Sequence, residues 1–76
     1  MVIDTSALVA ILLGESKRAT FTRLIVADPV RLLSAANWIE TSIVIESRKG
    51  EAGRSDLTRF LDAAAIEIVA VTSEQA

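Results

Sequence analysis

Apolar residues in this chain come in short blocks separated by polar and turn-forming residues, and the blocks differ in period. Met1-Val2-Ile3 is an unbroken apolar run ending at Asp4, which is the form of a buried strand. Asp4, Thr5 and Ser6 then offer consecutive helix-capping side chains ahead of Ala7–Leu13, a segment apolar on every side. Gly14 ends that helix. Glu15 to Ala27 is predicted as a second helix, with Phe21, Leu24 and Ile25 at i, i+3, i+4 spacing, and Asp28-Pro29 marks a turn. Arg31-Leu32-Leu33 is the next strand. Ser34 is placed to cap a third helix from Ala35 to Lys49, which Gly50 closes. A fourth helix is predicted over Ser55–Ala65, with Leu57, Phe60, Leu61 and Ala64 on one face. The β-branched run Ile66–Val71 is the strongest strand signal in the chain.

Strands alternating with helices make an α/β fold with a parallel sheet, here three strands and about four helices. Thr72-Ser73-Glu74-Gln75 fits the capping box that starts a helix, although a polar tail would read the same way. Parallel sheets are normally covered on both faces, and three strands leave an edge open. Residues 1–76 are therefore expected to be the N-terminal portion of a single domain whose C-terminal portion is absent. Association is expected as well, because three short strands cannot cover every apolar helix face. The contact surface is predicted at Leu8, Leu12 and Leu13 together with Phe21, Leu24 and Ile25.

Composition narrows the chemistry. Of 76 residues, 51% are apolar, which is ample for a packed core, and 10 acidic against 8 basic residues give a net charge of −2. No overall field draws such a chain to nucleic acid. There is no Cys, His or Tyr, so thiolate zinc sites, cysteine nucleophiles and imidazole bases are excluded. Ala7–Leu13 is too short to span a bilayer, and Asp4 stands where a signal peptide carries Lys or Arg, which points to the cytoplasm. Carboxylates, hydroxyls, Asn37 and cations are what remain.

Asp4 follows the first strand, and ligands of open α/β sheets bind outside the carboxyl ends of the strands. It either caps the following helix or leaves capping to Ser6 and faces the crevice. Glu40 shares a helical face with Ala36, Ile43, Val44 and Ser47, where a carboxylate among apolar neighbours needs a cation or several hydrogen bonds. Snorkelling to solvent is the alternative. Both carboxylates fall at the same edge of a parallel sheet, so they are predicted to approach within about 8 Å, close enough to share a hydrated cation. Without His or Cys the ion is Mg²⁺, with Mn²⁺ the alternative.

Arg48, Lys49, Arg54 and Arg59 gather around the turn after the third helix. Arg48 and Lys49 match the helix dipole there and otherwise offer an RNA phosphate contact. Trp38 points away from Glu40 and is expected in the core.

The opening Val2-Ile3-Asp4-Thr5-Ser6-Ala7-Leu8-Val9-Ala10-Ile11-Leu12 and the segment Ile39–Glu46, followed by Arg48 and Gly50, resemble the PIN-domain family. More closely, they are similar to the VapC-type toxins of prokaryotic toxin–antitoxin systems. The resemblance implies a three-layer α/β ribonuclease fold with clustered acidic residues holding Mg²⁺. It implies Asp4 as the first catalytic, metal-binding acid, Glu40 as the second, and Ser6 as a hydroxyl support for Asp4. RNA and a cognate antitoxin protein are the implied partners; the uncovered apolar faces separately call for the missing C-terminal part of the domain, a second copy of the chain or an antitoxin segment. The family's remaining acidic residues fall after the helix that Thr72 begins. A non-catalytic module that binds an antitoxin or partner helix is the competing reading. Another Mg²⁺ phosphohydrolase is disfavoured because no second Asp follows Asp4 by two residues.

Overall fold

A computed structural model describes residues 1–70, so the predicted capping box at Thr72–Gln75 lies outside the described residues. The order of elements is β1 (Val2–Ile3), α1 (Thr5–Leu12), α2 (Arg18–Ala27), β2 (Leu32–Ser34), α3 (Ala35–Ala63) and β3 (Glu67–Val69). The three strands form one parallel sheet in the order β1-β2-β3, as the alternation of elements predicts. Val2 pairs with Leu32 and Ile3 with Leu33, while Leu33 pairs in turn with Ile68.

The α3 segment is two helical arms rather than one rod. At Gly50 the backbone takes φ 63° and ψ −148°, a conformation that a Cβ makes costly. The chain turns there without unwinding, so the second arm starts at once instead of waiting for Ser55. Gly53 sits in the fold of this bend, where an added Cβ would stand 2.7 Å from both Ile45 Cγ2 and Lys49 Cβ. The second helix, by contrast, starts later than the Glu15 its pattern suggests. Lys17 occupies its N-cap and makes no side-chain capping bond.

Ile3 and Leu33 stand side by side on the sheet and are fully buried against Leu8 and Ile11 of α1, Ile25 of α2, and Leu57 and Leu61 of the second α3 arm. Both connections between parallel strands, α1–α2 and α3, contribute to the packing on this face. Val2, on the alternate face, is 73% exposed. The wholly apolar α1 is explained by its position, since it packs against both α2 and α3.

This packing corrects the expected contact surface. Leu8 and Ile25 belong to the core, and Leu12 and Phe21 pack against it, so only Leu24 of that group is largely exposed. The exposed apolar residues of α3 lie on its first arm, at Trp38, Ile39 and Ile43. Trp38 is 37% exposed and is not a core residue. The inner side of that arm is carried by Thr41 and Ile45.

Arg31 holds the amino edge of the sheet. Its guanidinium donates to the carbonyls of Asp28 at 2.8 Å, Val26 at 2.8 Å and Ala64 at 2.6 Å, tying the last turns of α2 and α3 to the start of β2. The carboxyl edge is left to Asp4 and Ser34.

Candidate metal centre at the carboxyl edge of the sheet

Asp4 is the residue where β1 stops and α1 begins, and its extended backbone (φ −102°, ψ 166°) makes it the N-cap. Oδ1 accepts from the Ala7 amide at 2.9 Å and from the Ser6 hydroxyl at 2.9 Å. Ser6 therefore does not cap the helix. It supports the residue that does. Both bonds fall on Oδ1 and neither on Oδ2, so capping and ligation are compatible in one carboxylate. The Ala7 amide, then the Ser6 hydroxyl, holds the Asp4 pKa below the ordinary carboxylate value. Asp4 is thus an anion at neutral pH.

Ser34 repeats the arrangement one strand over, its hydroxyl accepting from the Asn37 amide at 3.1 Å at the start of α3. Between the two helix starts, the Thr5 hydroxyl reaches Asn37, 3.3 Å from its carbonyl oxygen and 3.4 Å from its Oδ1. Asp4 adjoins one partner of this bridge. Glu40 lies three residues, just under one turn of 3.6 residues, beyond the other.

Glu40 is exposed, and so are its face neighbours Ala36, Ile43 and Ser47. The expectation of a carboxylate pressed against a buried apolar face is overturned. The helix buries its opposite side, on Thr41 and Ile45. Among the described residues Glu40 has no ion-pair partner, which leaves its carboxylate available.

The basic residues are placed elsewhere. Lys49 Nζ donates to the carbonyl of Leu12 at 3.3 Å and lies 3.7 Å from Asp56. Leu12 is at the far end of α1 from Asp4, about 12 Å away at 1.5 Å per residue. Arg54 faces Glu46 at 4.0 Å and Arg59 faces Asp56 at 3.5 Å, whereas Arg48 is exposed and has no ion-pair partner among the described residues. A polar trough of about 550 Å³ lies on the second α3 arm between Glu51, Arg54 and Arg59. It contains none of the edge carboxylates. A smaller, more enclosed apolar groove of about 160 Å³ lies between β1 and α2, lined by Phe21 and Leu24 and also by Asp4.

The donor set at the edge is oxygen only, which suits a hard cation. Mg²⁺ is held by one or two carboxylates with waters completing its shell, so Asp4 and Glu40 fit it in kind. Among the described residues no group of three or more acidic side chains gathers. Asn37 stands in the sequence as a polar residue with no assigned place. Its tie to Thr5 was signalled only by both residues standing in a first helical turn after a strand.

The PIN domain profile matches residues 1–76. The chain belongs to the PIN-domain family. Over all 76 residues this PIN domain is 49% identical to the VapC ribonuclease Mb0640 of Mycobacterium bovis and 49% identical to ribonuclease VapC30 of Mycobacterium tuberculosis. It is 50% identical to a ribonuclease VapC of Mycolicibacterium smegmatis. These relatives bear out the VapC-type resemblance read from the opening segment. The chain spans 58% of the length of the first two and 59% of the third.

Proposed function

We propose that this PIN domain supplies the first two metal-binding carboxylates of a Mg²⁺-dependent ribonuclease toxin that acts on RNA and is restrained by a cognate antitoxin protein. The observation that carries the reading is Asp4: an ionised carboxylate at the carboxyl edge of a parallel sheet, its Oδ1 held by the Ala7 amide and the Ser6 hydroxyl. The ribonuclease names of the relatives support it.

Asp4 Oδ2 and the Glu40 carboxylate would hold the cation, with Mn²⁺ able to replace Mg²⁺. Bound there, such an ion supplies Lewis acidity toward a phosphodiester oxygen and lowers the pKa of a coordinated water. Ser6 fixes the Asp4 carboxylate by occupying Oδ1. Glu40 binds the ion or accepts a hydrogen bond from the attacking water. Of the two basic residues expected at an RNA phosphate, Arg48 has no ion-pair partner among the described residues, and Lys49 would have to leave Leu12 and Asp56 to join it. Association with a second copy or with the antitoxin is assigned to Trp38, Ile39 and Ile43 of α3. No described helix is long and apolar enough to cross a membrane. The proposed action on RNA is the ground for a cytoplasmic location.

One observation favours a second reading, a module that binds an antitoxin without cutting RNA: the described residues gather no third acid at the edge. Incubation with RNA separates the two. The nuclease reading expects cleavage in Mg²⁺, none in EDTA, and a loss of about 100-fold or more in Asp4→Asn, since a neutral amide is a poor ligand. Cleavage by Asp4→Asn at the parental rate would sink it. Antitoxin binding with no Mg²⁺-dependent cleavage would favour the module.

A further inference from the structure

We infer that Thr5 and Asn37 are positioning residues for the carboxylate pair, an inference that rests on the metal-binding reading of Asp4 and Glu40. Neither carboxylate is fixed to the other by its own contacts. Asp4 is held within α1 by Ala7 and Ser6, and Glu40 is an exposed side chain on α3. The first turns of the two helices are joined instead by the Thr5 hydroxyl, placed between the carbonyl oxygen and Oδ1 of Asn37.

Asn37 is also fixed from the other side, because its amide donates to Ser34 Oγ at the end of β2. Asn37 is thereby tied to Ser34 at the end of β2 and, through the one Thr5 hydroxyl proton shared between its two oxygens, to the first turn of α1. The path from one carboxylate to the other runs Asp4, Thr5, Asn37, Glu40, with one hydrogen-bonded link and no long flexible segment. Breaking the link leaves both carboxylates on their own helices, with helix packing and strand pairing still holding the two elements together, and removes the side-chain bond that fixes their first turns against each other. Ligands of a metal depend on such outer partners, whose loss typically costs 10–100-fold in affinity.

The test is the Mn²⁺ affinity of the full chain, read from the electron paramagnetic resonance signal of free Mn²⁺, with thermal melts of every variant. Thr5→Val keeps the shape and removes the donor, and should weaken Mn²⁺ by about 10-fold or more. Thr5→Ser restores the hydroxyl and should bind within about twofold of the parent. Asn37→Ala removes Oδ1 but keeps the carbonyl, so it should weaken binding less than Thr5→Val, and it replaces that variant if Thr5→Val fails to fold. Gly53→Ala serves as the control for lost stability alone: it should melt lower yet bind Mn²⁺ as the parent does. Parental affinity in Thr5→Val, or in Asn37→Ala where Thr5→Val does not fold, overturns the inference while leaving the metal reading intact, provided Asp4→Asn abolishes binding. Equal weakening in Gly53→Ala and Thr5→Val also overturns it. Affinity indifferent to Asp4→Asn overturns both.

Discussion

The hydroxyl of Ser6 donates to Oδ1 of Asp4 over 2.9 Å, on the same oxygen that caps α1. One side chain thereby serves the helix and keeps its second oxygen for other work. Ser6→Ala should leave the cap in place and remove one of the bonds that favour the ionised form. The Asp4 pKa is then expected to rise toward the ordinary value, with a stability loss of about 0.5 kcal/mol at this exposed site. Carboxyl chemical shifts followed through an acid titration measure the change. An unmoved Asp4 pKa would show that the hydroxyl does not support the carboxylate.

The bend at Gly50 makes a second prediction. Ala at position 50 must adopt φ 63°, ψ −148° or unwind the joint, at a cost of about 1–3 kcal/mol. Ala at position 53 meets Ile45 and Lys49 at 2.7 Å, and relieving that overlap costs about 1–3 kcal/mol for a different reason. Urea melts of the single variants test both, and a neutral Gly50→Ala would show that the two arms can run as one helix.

Thr41 is fully buried, and its hydroxyl has no hydrogen-bond partner among the described residues. An orphaned hydroxyl costs more than its absence, so Thr41→Val should stabilise the chain by about 1 kcal/mol. For a domain of this size that is a rise in melting temperature of about 4–8 °C. A lower melting temperature would mean that the hydroxyl is bonded after all.

Asp28 accepts from the Val30 amide at 2.9 Å and lies 3.0 Å from the Met1 ammonium group. The first contact, then the second, lowers its pKa below the usual carboxylate value. A depressed native pKa stabilises the fold above the unfolded value of about 3.9 and is lost as pH falls through the native one. The stability gap between the parent and Asp28→Asn is therefore expected to be constant from pH 7 to pH 5 and to close below about pH 4. Melts across that range measure it. A gap that widens in acid would contradict the assignment.

Much of this arrangement was legible because apolar runs bounded by capping residues leave few choices. Val2-Ile3 before Asp4, Leu32-Leu33 before Ser34 and the break at Gly50 were each marked by residue type, and the helices between strands imposed a parallel sheet. What the pattern could not supply was the neighbour across the gap. Periodicity put Glu40 with Ile43 on one face, but nothing in the sequence said that α1 would pack on the face of Thr41 and Ile45 instead. The same ignorance sent Trp38 inward and Leu8 outward. With Asp4, Thr5 and Ser6 all able to cap, only the backbone angles at Asp4 decide among them. The Thr5–Asn37 bond joins residues 32 apart in sequence, and no spacing rule announces it.

In the proposed reading, Asp4 and Glu40 form one cation site. Titration of the ¹⁵N-labelled chain with Mn²⁺, followed as paramagnetic broadening of amide signals, tests it most directly. A shared site broadens the signals of Asp4, Ser6 and Glu40 together at the lowest Mn²⁺ concentrations, well before those of Lys49 and Asp56 at the far end of α1. Broadening centred on Asp56 or Glu46, or at Asp4 with Glu40 unaffected, would contradict it.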